Sequence, residues 1–265
     1  MTNSLPPRSI SIANQLATLL SCELRRLVFA RKTIVLLVVQ LLPAIAALVY
    51  VLFKDIDGLT MFRSTVEMVT LPFLLPLAAL FYGGPTIVDE MEGRTLTYLT
   101  LRPVAKPVLF LGKFFAGTLT ALVVVLVPLA LLFLACLGKS SDLSASLSSF
   151  GFIMLAAAMG VITYSAIFAL LGVVFATSLL SGIIYFVVVE MVFSLLPLLE
   201  LLSVRYYLRT TAGFNATDRL GLLDRLILEE PLKFEWWVGV LVAAILAVVA
   251  VVLGAFAFRE RQYHV

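Results

Sequence analysis

The sequence is poor in the side chains that build catalytic and metal centres. Among its 265 residues are two cysteines, Cys22 and Cys136, and one histidine, His264, beside the C-terminal residue. Without a Cys-x-x-Cys pair, we expect no disulfide framework, structural zinc site or haem ligand set within one chain. With its single histidine at the tail, we expect no Ser/His/Asp or Cys/His catalytic set either.

Charged residues are also scarce, and this scarcity places the chain in lipid. Only 13% of the residues are charged, 62% are hydrophobic, and the mean hydropathy is +1.11. Soluble domains have about 25% charged and about 45–50% apolar residues. The net charge of +3 is small, and the basic residues lie near the ends of apolar runs, where phospholipid headgroups would meet them. We therefore predict a membrane protein with membrane lipids, and no nucleic acid, as partners.

Six apolar segments have the length of about 20 residues that a membrane-spanning helix needs. They are 33–53, 66–87, 108–137, 150–175, 179–202 and 236–258. An even number puts both termini on one side, and the distribution of Lys and Arg favours the cytoplasm for both. The predicted fold is an all-α membrane protein with six transmembrane helices, one domain over 1–265.

An amphipathic helix is predicted before the first span, within residues 9–32. Its apolar residues follow i, i+4 spacing, and basic residues gather at its C-terminal end, where they suit the helix dipole and an anionic leaflet. One interpretation is an anchor helix lying in the membrane interface. The other is an elbow helix that also touches a cytoplasmic partner, and the two are compatible.

The loop between the fifth and sixth spans, 203–235, is the longest extracytoplasmic piece. We predict a short re-entrant or interfacial helix in it, capped by Thr217 or Asp218 and ended by Pro231. Its apolar face would consist of Leu220, Leu223, Leu226 and Ile227.

Two polar residues inside predicted spans are candidates for function. An acid within a membrane costs about 2.5–3.5 kcal/mol on insertion scales, so it normally faces a bundle interior or water. Glu190, midway along the fifth span, is therefore a candidate for a translocation path or a dimer interface. A structural hydrogen bond to Tyr164, Ser165 or Ser194 is the alternative. Gln40 in the first span is a candidate for the same path, with helix packing as its alternative.

The loop between the second and third spans, 88–107, is the densest polar segment. Three carboxylates precede Gly93, a short amphipathic run follows, and Pro103 and Pro107 stop it. This compact knob is suited to docking a soluble partner, and an ordinary connecting loop is the alternative. A further hypothesis is an enzyme in which the carboxylates and lipid headgroups hold a metal ion, as in membrane phosphotransferases. The pattern favours it less, because those enzymes usually carry more carboxylates at helical spacing.

The run Gly138-Lys139-Ser140 ends like a phosphate-binding loop, but the glycine required five positions before Gly138 is Phe133. We therefore expect no ATP hydrolysis by this chain, and no cofactor in it.

The segment Glu-Gly-Arg-Thr-Leu-Thr-Tyr-Leu-Thr-Leu-Arg-Pro-Val from Glu92, followed by Leu-Gly-Lys-Phe at 111–114, resembles the permeases of type-2 ABC exporters. Arg94 is a departure, since Gly-Thr-Leu without an insertion is commoner there. The resemblance implies a half-transporter subunit in a bacterial-type inner membrane, not catalytic by itself. Two copies, or one copy with a related permease, would pair with two cytoplasmic ATPase subunits that bind ATP and Mg²⁺. A periplasmic accessory protein is compatible with it.

The resemblance also assigns roles to residues. The ATPase-coupling loop would comprise Asp89, Glu90, Glu92, Gly93, Arg94, Thr95, Leu96, Leu99, Arg102 and Pro103. The elbow helix would present Glu23, Arg25, Arg26 and Arg31. Lys113, at the start of the third span, is expected to extend to the inner interface.

Two other classes of function stay open from the residues. An ion-coupled secondary carrier would use Glu190 as its proton site. A non-transporting scaffold would dock a cytoplasmic ATPase through the same loop. The substrate is not defined by the sequence, although the shortage of His and Cys argues against direct passage of metal ions.

Overall fold

A computed structural model describes residues 12–54, 57–85, 106–140, 142–175, 177–193, 199–214 and 234–260. Across these ranges the chain is almost entirely helical and has no strand. The helices are α1 (Ile12–Val28), α2 (Arg31–Phe53), α3 (Gly58–Gly83), α4 (Lys106–Leu137), α5 (Leu143–Phe175), α6 (Ser178–Tyr185, continued by the π-helix Phe186–Val192), α7 (Val204–Thr211) and α8 (Trp236–Glu260). A 3₁₀ turn, Leu199–Leu202, precedes α7.

Five of these helices are long and apolar enough to cross a membrane: α2, α3, α4, α5 and α8. The predicted bounds agree closely for α2, α4 and α8, whereas α3 and α5 begin about two turns earlier than predicted. Polar caps account for the earlier starts. The Asp57 carboxylate accepts a bond from the N–H of Thr60 (3.1 Å), and the Asp142 carboxylate accepts one from the N–H of Ser144 (2.9 Å).

The structure describes the predicted fifth span, 179–202, only in part, and six spans are not confirmed. Its described helical part, Leu179–Val192, is shorter than the length that a crossing requires, and the next described element is the 3₁₀ turn.

A short helix lies between α6 and α8 in the described part of the chain. It is α7, whose buried face consists of Val204, Leu208 and Thr211. The helix predicted between Thr217 and Pro231 lies outside the described residues.

The centre of the bundle is α5, which packs against α3, α4, α6, α7 and α8. About half of the most apolar window of α3, α4 or α5 is buried (50–56%), against 28% for α2 and 22% for α8. The outer faces of α2 and α8 are thus exposed in this chain, and lipid or another protein would contact them. A Cβ on Gly160 of α5 would lie 2.6 Å from Leu208 Cδ1, so this glycine permits the close approach of α7.

The helices alternate in direction and give the bundle two ends. At one end the N–H of Gly58 donates to the carbonyl of Lys139 (3.1 Å), and the backbone of α7 lies beside Gly239. At the other end α1 packs along the start of α4, next to the last turns of α3. We call these the α7 end and the α1 end.

Candidate functional site

The residues predicted for ATPase coupling, Asp89 to Pro103, lie outside the described residues. The structure does describe the helices on both sides of this loop, because α3 ends at Gly83 and α4 begins at Lys106. The candidate site is therefore built from these two helix ends and from α1, which contacts α4.

Glu23 joins α1 to α4. Its Oε1 lies 3.3 Å from Lys113 Nζ on α4 and 3.7 Å from Arg26 Nη1 on α1. Lys113 is only 4% exposed, and a buried ammonium is tolerated when a carboxylate pairs with it. The expectation that Lys113 extends to the membrane interface is therefore wrong: α1 covers it. Of the predicted elbow residues, Arg25, Arg26 and Arg31 are exposed, and Glu23 faces α4.

A second set of contacts joins α1 to the end of α3. The Tyr82 hydroxyl donates to Thr33 Oγ1 (2.7 Å), and the Thr33 hydroxyl donates to the carbonyl of Leu27 (2.5 Å). All three residues are buried. Beside them, Lys32 Nζ lies 3.5 Å from the carbonyl of Phe81 and 5.5 Å from the centroid of the Tyr82 ring. The last turns of α3 are thus tied, through the start of α2, to the C-terminal turn of α1.

Gln40 connects two helices inside the bundle. Its Nε2 donates to the carbonyl of Leu74 (2.7 Å), the last residue of the π-helix Val66–Leu74 within α3. A π-helix shifts the regular ladder of backbone bonds, and a side-chain amide can satisfy a carbonyl displaced in this way. The observed contact is the packing alternative for Gln40, and its place on a translocation path stays a prediction.

Glu190 lies in the π-helix Phe186–Val192 and caps α7. Its carboxylate accepts bonds from the Ser203 hydroxyl (2.6 Å), the N–H of Val204 (3.1 Å) and the N–H of Arg205 (3.4 Å). Free N–H groups and the positive end of the dipole make a helix N-terminus a favourable place for a carboxylate. The buried Tyr164 hydroxyl lies near this carboxylate, outside hydrogen-bonding geometry.

Glu190 therefore makes structural hydrogen bonds, which is the alternative that the sequence offered for it. The donors belong to Ser203 and to the α7 backbone, Tyr164 lies near the carboxylate, and Ser194 lies outside the described residues. The assignment of Glu190 to a translocation path or a dimer interface stays a prediction.

A charge cluster at the α7 end was not predicted. Arg209 of α7 pairs with Glu67 of α3 (2.9 Å) and lies 3.8 Å from Glu200 of the 3₁₀ turn. Next to it, Arg63 Nη2 donates to the carbonyl of Gly213 (2.8 Å). The signal that points to it is an acid within the apolar run of α3, Glu67, but nothing in the sequence shows which arginine is near it.

The contacts described above are structural. Among the described residues there is no group of three or more His, Cys, Asp or Glu that could hold a metal ion. What the side chains do instead is join helices: α1 to α3 and α4 at one end, and α7 to α3 and α6 at the other.

The family follows from comparison with known proteins. The model of the ABC-2 family transporter proteins matches residues 19–200, a stretch that runs from α1 to the 3₁₀ turn and includes the 88–107 loop. No curated protein matches the chain. Five helices suited to crossing a membrane agree with the family match. The chain is thus a multi-pass membrane protein, a transport component of the permease type, and it belongs to the ABC-2 transporter family.

Proposed function

We propose that this protein is the membrane-spanning subunit of an ATP-driven ABC exporter. A separate cytoplasmic ATPase, in two copies, would bind ATP and Mg²⁺, and a second copy of this chain or a related permease would complete the bundle. The family match over residues 19–200 carries this proposal, because it includes the segment that the sequence predicts to dock the ATPase. The membrane would be a bacterial-type inner membrane, with both termini and the α1 end on the cytoplasmic side.

The mechanism would depend on movement rather than on bond chemistry. ATP binding closes the ATPase dimer, and the 88–107 loop moves with it. The helices then pass between inward-open and outward-open states, and nucleotide energy acts only through contacts that differ between those states. Two contacts that support the proposal are described above: the helices on both sides of the loop are bound to α1 through Glu23 and Thr33.

The test is reconstitution with a cognate ABC ATPase subunit, which is to be sought first among the neighbouring reading frames. We expect the two proteins to co-purify, and we expect the permease to stimulate ATP hydrolysis. The substitutions Glu92→Arg and Leu96→Arg should abolish the stimulation while the permease still folds, since they place a charge on the docking face. Glu229→Arg is the matched control, because it makes the same charge change in the loop predicted on the other side.

Two results contradict the proposal. One is normal stimulation by both loop variants, and the other is the absence of any ATPase bound to the permease. A carrier driven by an ion gradient would instead work in liposomes without ATPase. The hydrogen bonds that Glu190 accepts from α7 do not favour that class, because they use the carboxylate to hold the fold. A non-transporting scaffold would bind the ATPase but show no substrate-dependent cycle.

A further inference from the structure

The helices on both sides of the 88–107 loop are bound to the same helix. On the α4 side, Lys113 pairs with Glu23, which lies between one and two turns before the end of the amphipathic α1 at Val28. On the α3 side, Tyr82 reaches the carbonyl of Leu27 through the Thr33 hydroxyl. These contacts use different chemistry and different residues, yet both meet on the C-terminal half of α1.

The Glu23–Lys113 pair is the stronger of the two. The side chain of Lys113 is 5% exposed and that of Glu23 is 12% exposed, so solvent screens the pair weakly. Removing one partner would leave the other charge buried without compensation, which is far more costly than breaking a surface pair. In addition, Glu23 Oε2 is buried and has no hydrogen-bond partner in the described part of the chain, so Oε1 makes the described contacts.

The start of α4 is also packed on a face next to the one that carries Lys113. Phe110 is fully buried, its ring centroid lies 5.9 Å from that of Phe258 on α8, and Phe110 and Phe114 share a cluster with Ala166 of α5. A displacement of α1 and α4 together would therefore reach α5 and α8 directly, because packed interiors transmit strain.

We infer that α1 is a strut that makes the end of α3, the start of α4 and α1 itself move as one unit, with Glu23 and Lys113 as its positioning residues. This inference rests on the proposed function, since it says how a push on the loop reaches the bundle. Without the strut, the two helix ends would separate or flex, and movement of the loop would be absorbed locally.

The test measures movement between α1 and α4 in the complex of the full chain with its ATPase subunit, in lipid nanodiscs. One spin label is attached to Cys22, which is native and exposed on α1, and the other to Phe115→Cys, an exposed position on α4. Cys136 is replaced by alanine. Distances are recorded without nucleotide and with Mg-ATP and vanadate, and permease-stimulated ATP hydrolysis is measured in parallel.

In the otherwise unchanged protein, nucleotide should leave the label distance as it is. Glu23→Gln or Lys113→Gln should make the distance change or broaden with nucleotide, and should lower the stimulation about 5- to 150-fold, the usual range of coupling between sites. The reversed pair Glu23→Lys with Lys113→Glu should restore both readings. Glu260→Gln and Lys54→Gln, at exposed positions, are the matched controls.

The inference is overturned if both single variants keep the original distance and stimulation, or if nucleotide changes the distance in the unsubstituted pair. It is also overturned if the reversed pair folds and does not restore coupling, since charge would then not be the cause. If a single variant fails to assemble, the reversed pair still decides between these results. A complex that never binds the ATPase overturns the proposed function, and this inference with it.

Discussion

Replacing Glu190 with alanine should destabilise the protein by withdrawing the cap of α7. Helix α7 has eight residues, and an isolated helix of that length is not stable in water. Its first turn offers N–H groups to Glu190, with donor–acceptor distances of 3.1 and 3.4 Å, and Ser203 adds a hydroxyl at 2.6 Å. The packing of α7 against α5 and α8 therefore depends on this carboxylate.

The magnitude follows from the bonds that are lost. Removing an N-cap costs about 0.5–2 kcal/mol, and a hydrogen bond to a charged group contributes about 1.5–3 kcal/mol. The bond at 3.4 Å is weak, and alanine also relieves the cost of burying a charge, so we expect a net loss of about 2–3 kcal/mol. In a domain of about 150–250 residues that lowers the melting temperature by roughly 4–12 °C. Glu190→Gln, which keeps one acceptor oxygen, should lower the free energy of unfolding by about 1 kcal/mol.

The assay uses the buried thiol of Cys136 as the reporter. A dye that fluoresces on reaction with thiols reads unfolding as Cys136 becomes accessible, once the exposed Cys22 has been replaced by serine. Glu235→Gln, at an exposed position before α8, is the control and should not change melting. If Glu190→Ala melts within about 2 °C of the parent, the capping role is refuted. Equal losses for alanine and glutamine would show that charge alone, and not acceptor geometry, matters.

Three further predictions concern the α7 end, and each is read from the same melting assay. Arg209→Met should lower the free energy of unfolding by about 1–3 kcal/mol, because it removes the arginine that pairs with the partly buried carboxylate of Glu67. This loss lies between those typical of surface pairs and of buried pairs. An unchanged melting temperature would show that the pair is not stabilising. Gly160→Val should cost about 1–3 kcal/mol by pushing α7 away, whereas Gly151→Val, with open space around it, should be nearly neutral; equal effects would contradict this. Hydrogen bonds from the next turn lower the pKa of Asp142, so its cap stabilises above the unfolded pKa of about 3.9 and is lost as pH falls through the folded value. Asp142→Ala should thus melt below the parent at pH 7, and the difference should vanish in acid.

The long helices could be predicted from the sequence because apolar length alone specifies them in a membrane. What surrounds a polar residue could not, since that depends on which helices meet. Lys113 illustrates the limit: its position at the start of a span suggested an extended side chain, but α1 lies over that face and supplies Glu23. Glu190 illustrates it again, because its donors follow 13 to 15 residues later and belong to Ser203 and to the separate helix α7.

Two acids that contact α7 or its N-terminus lie in π-helical segments of different helices. Glu67 lies in the π-helix Val66–Leu74 and Glu190 in the π-helix Phe186–Val192. In a regular helix successive side chains turn by about 100°, so one residue more or less in a π-helical turn rotates everything after it. Deleting Val187 should therefore turn the Glu190 carboxylate away from α7 and destabilise the protein at least as much as Glu190→Ala. A deletion variant that melts like the parent would show that the widened turn is not what aims the acid.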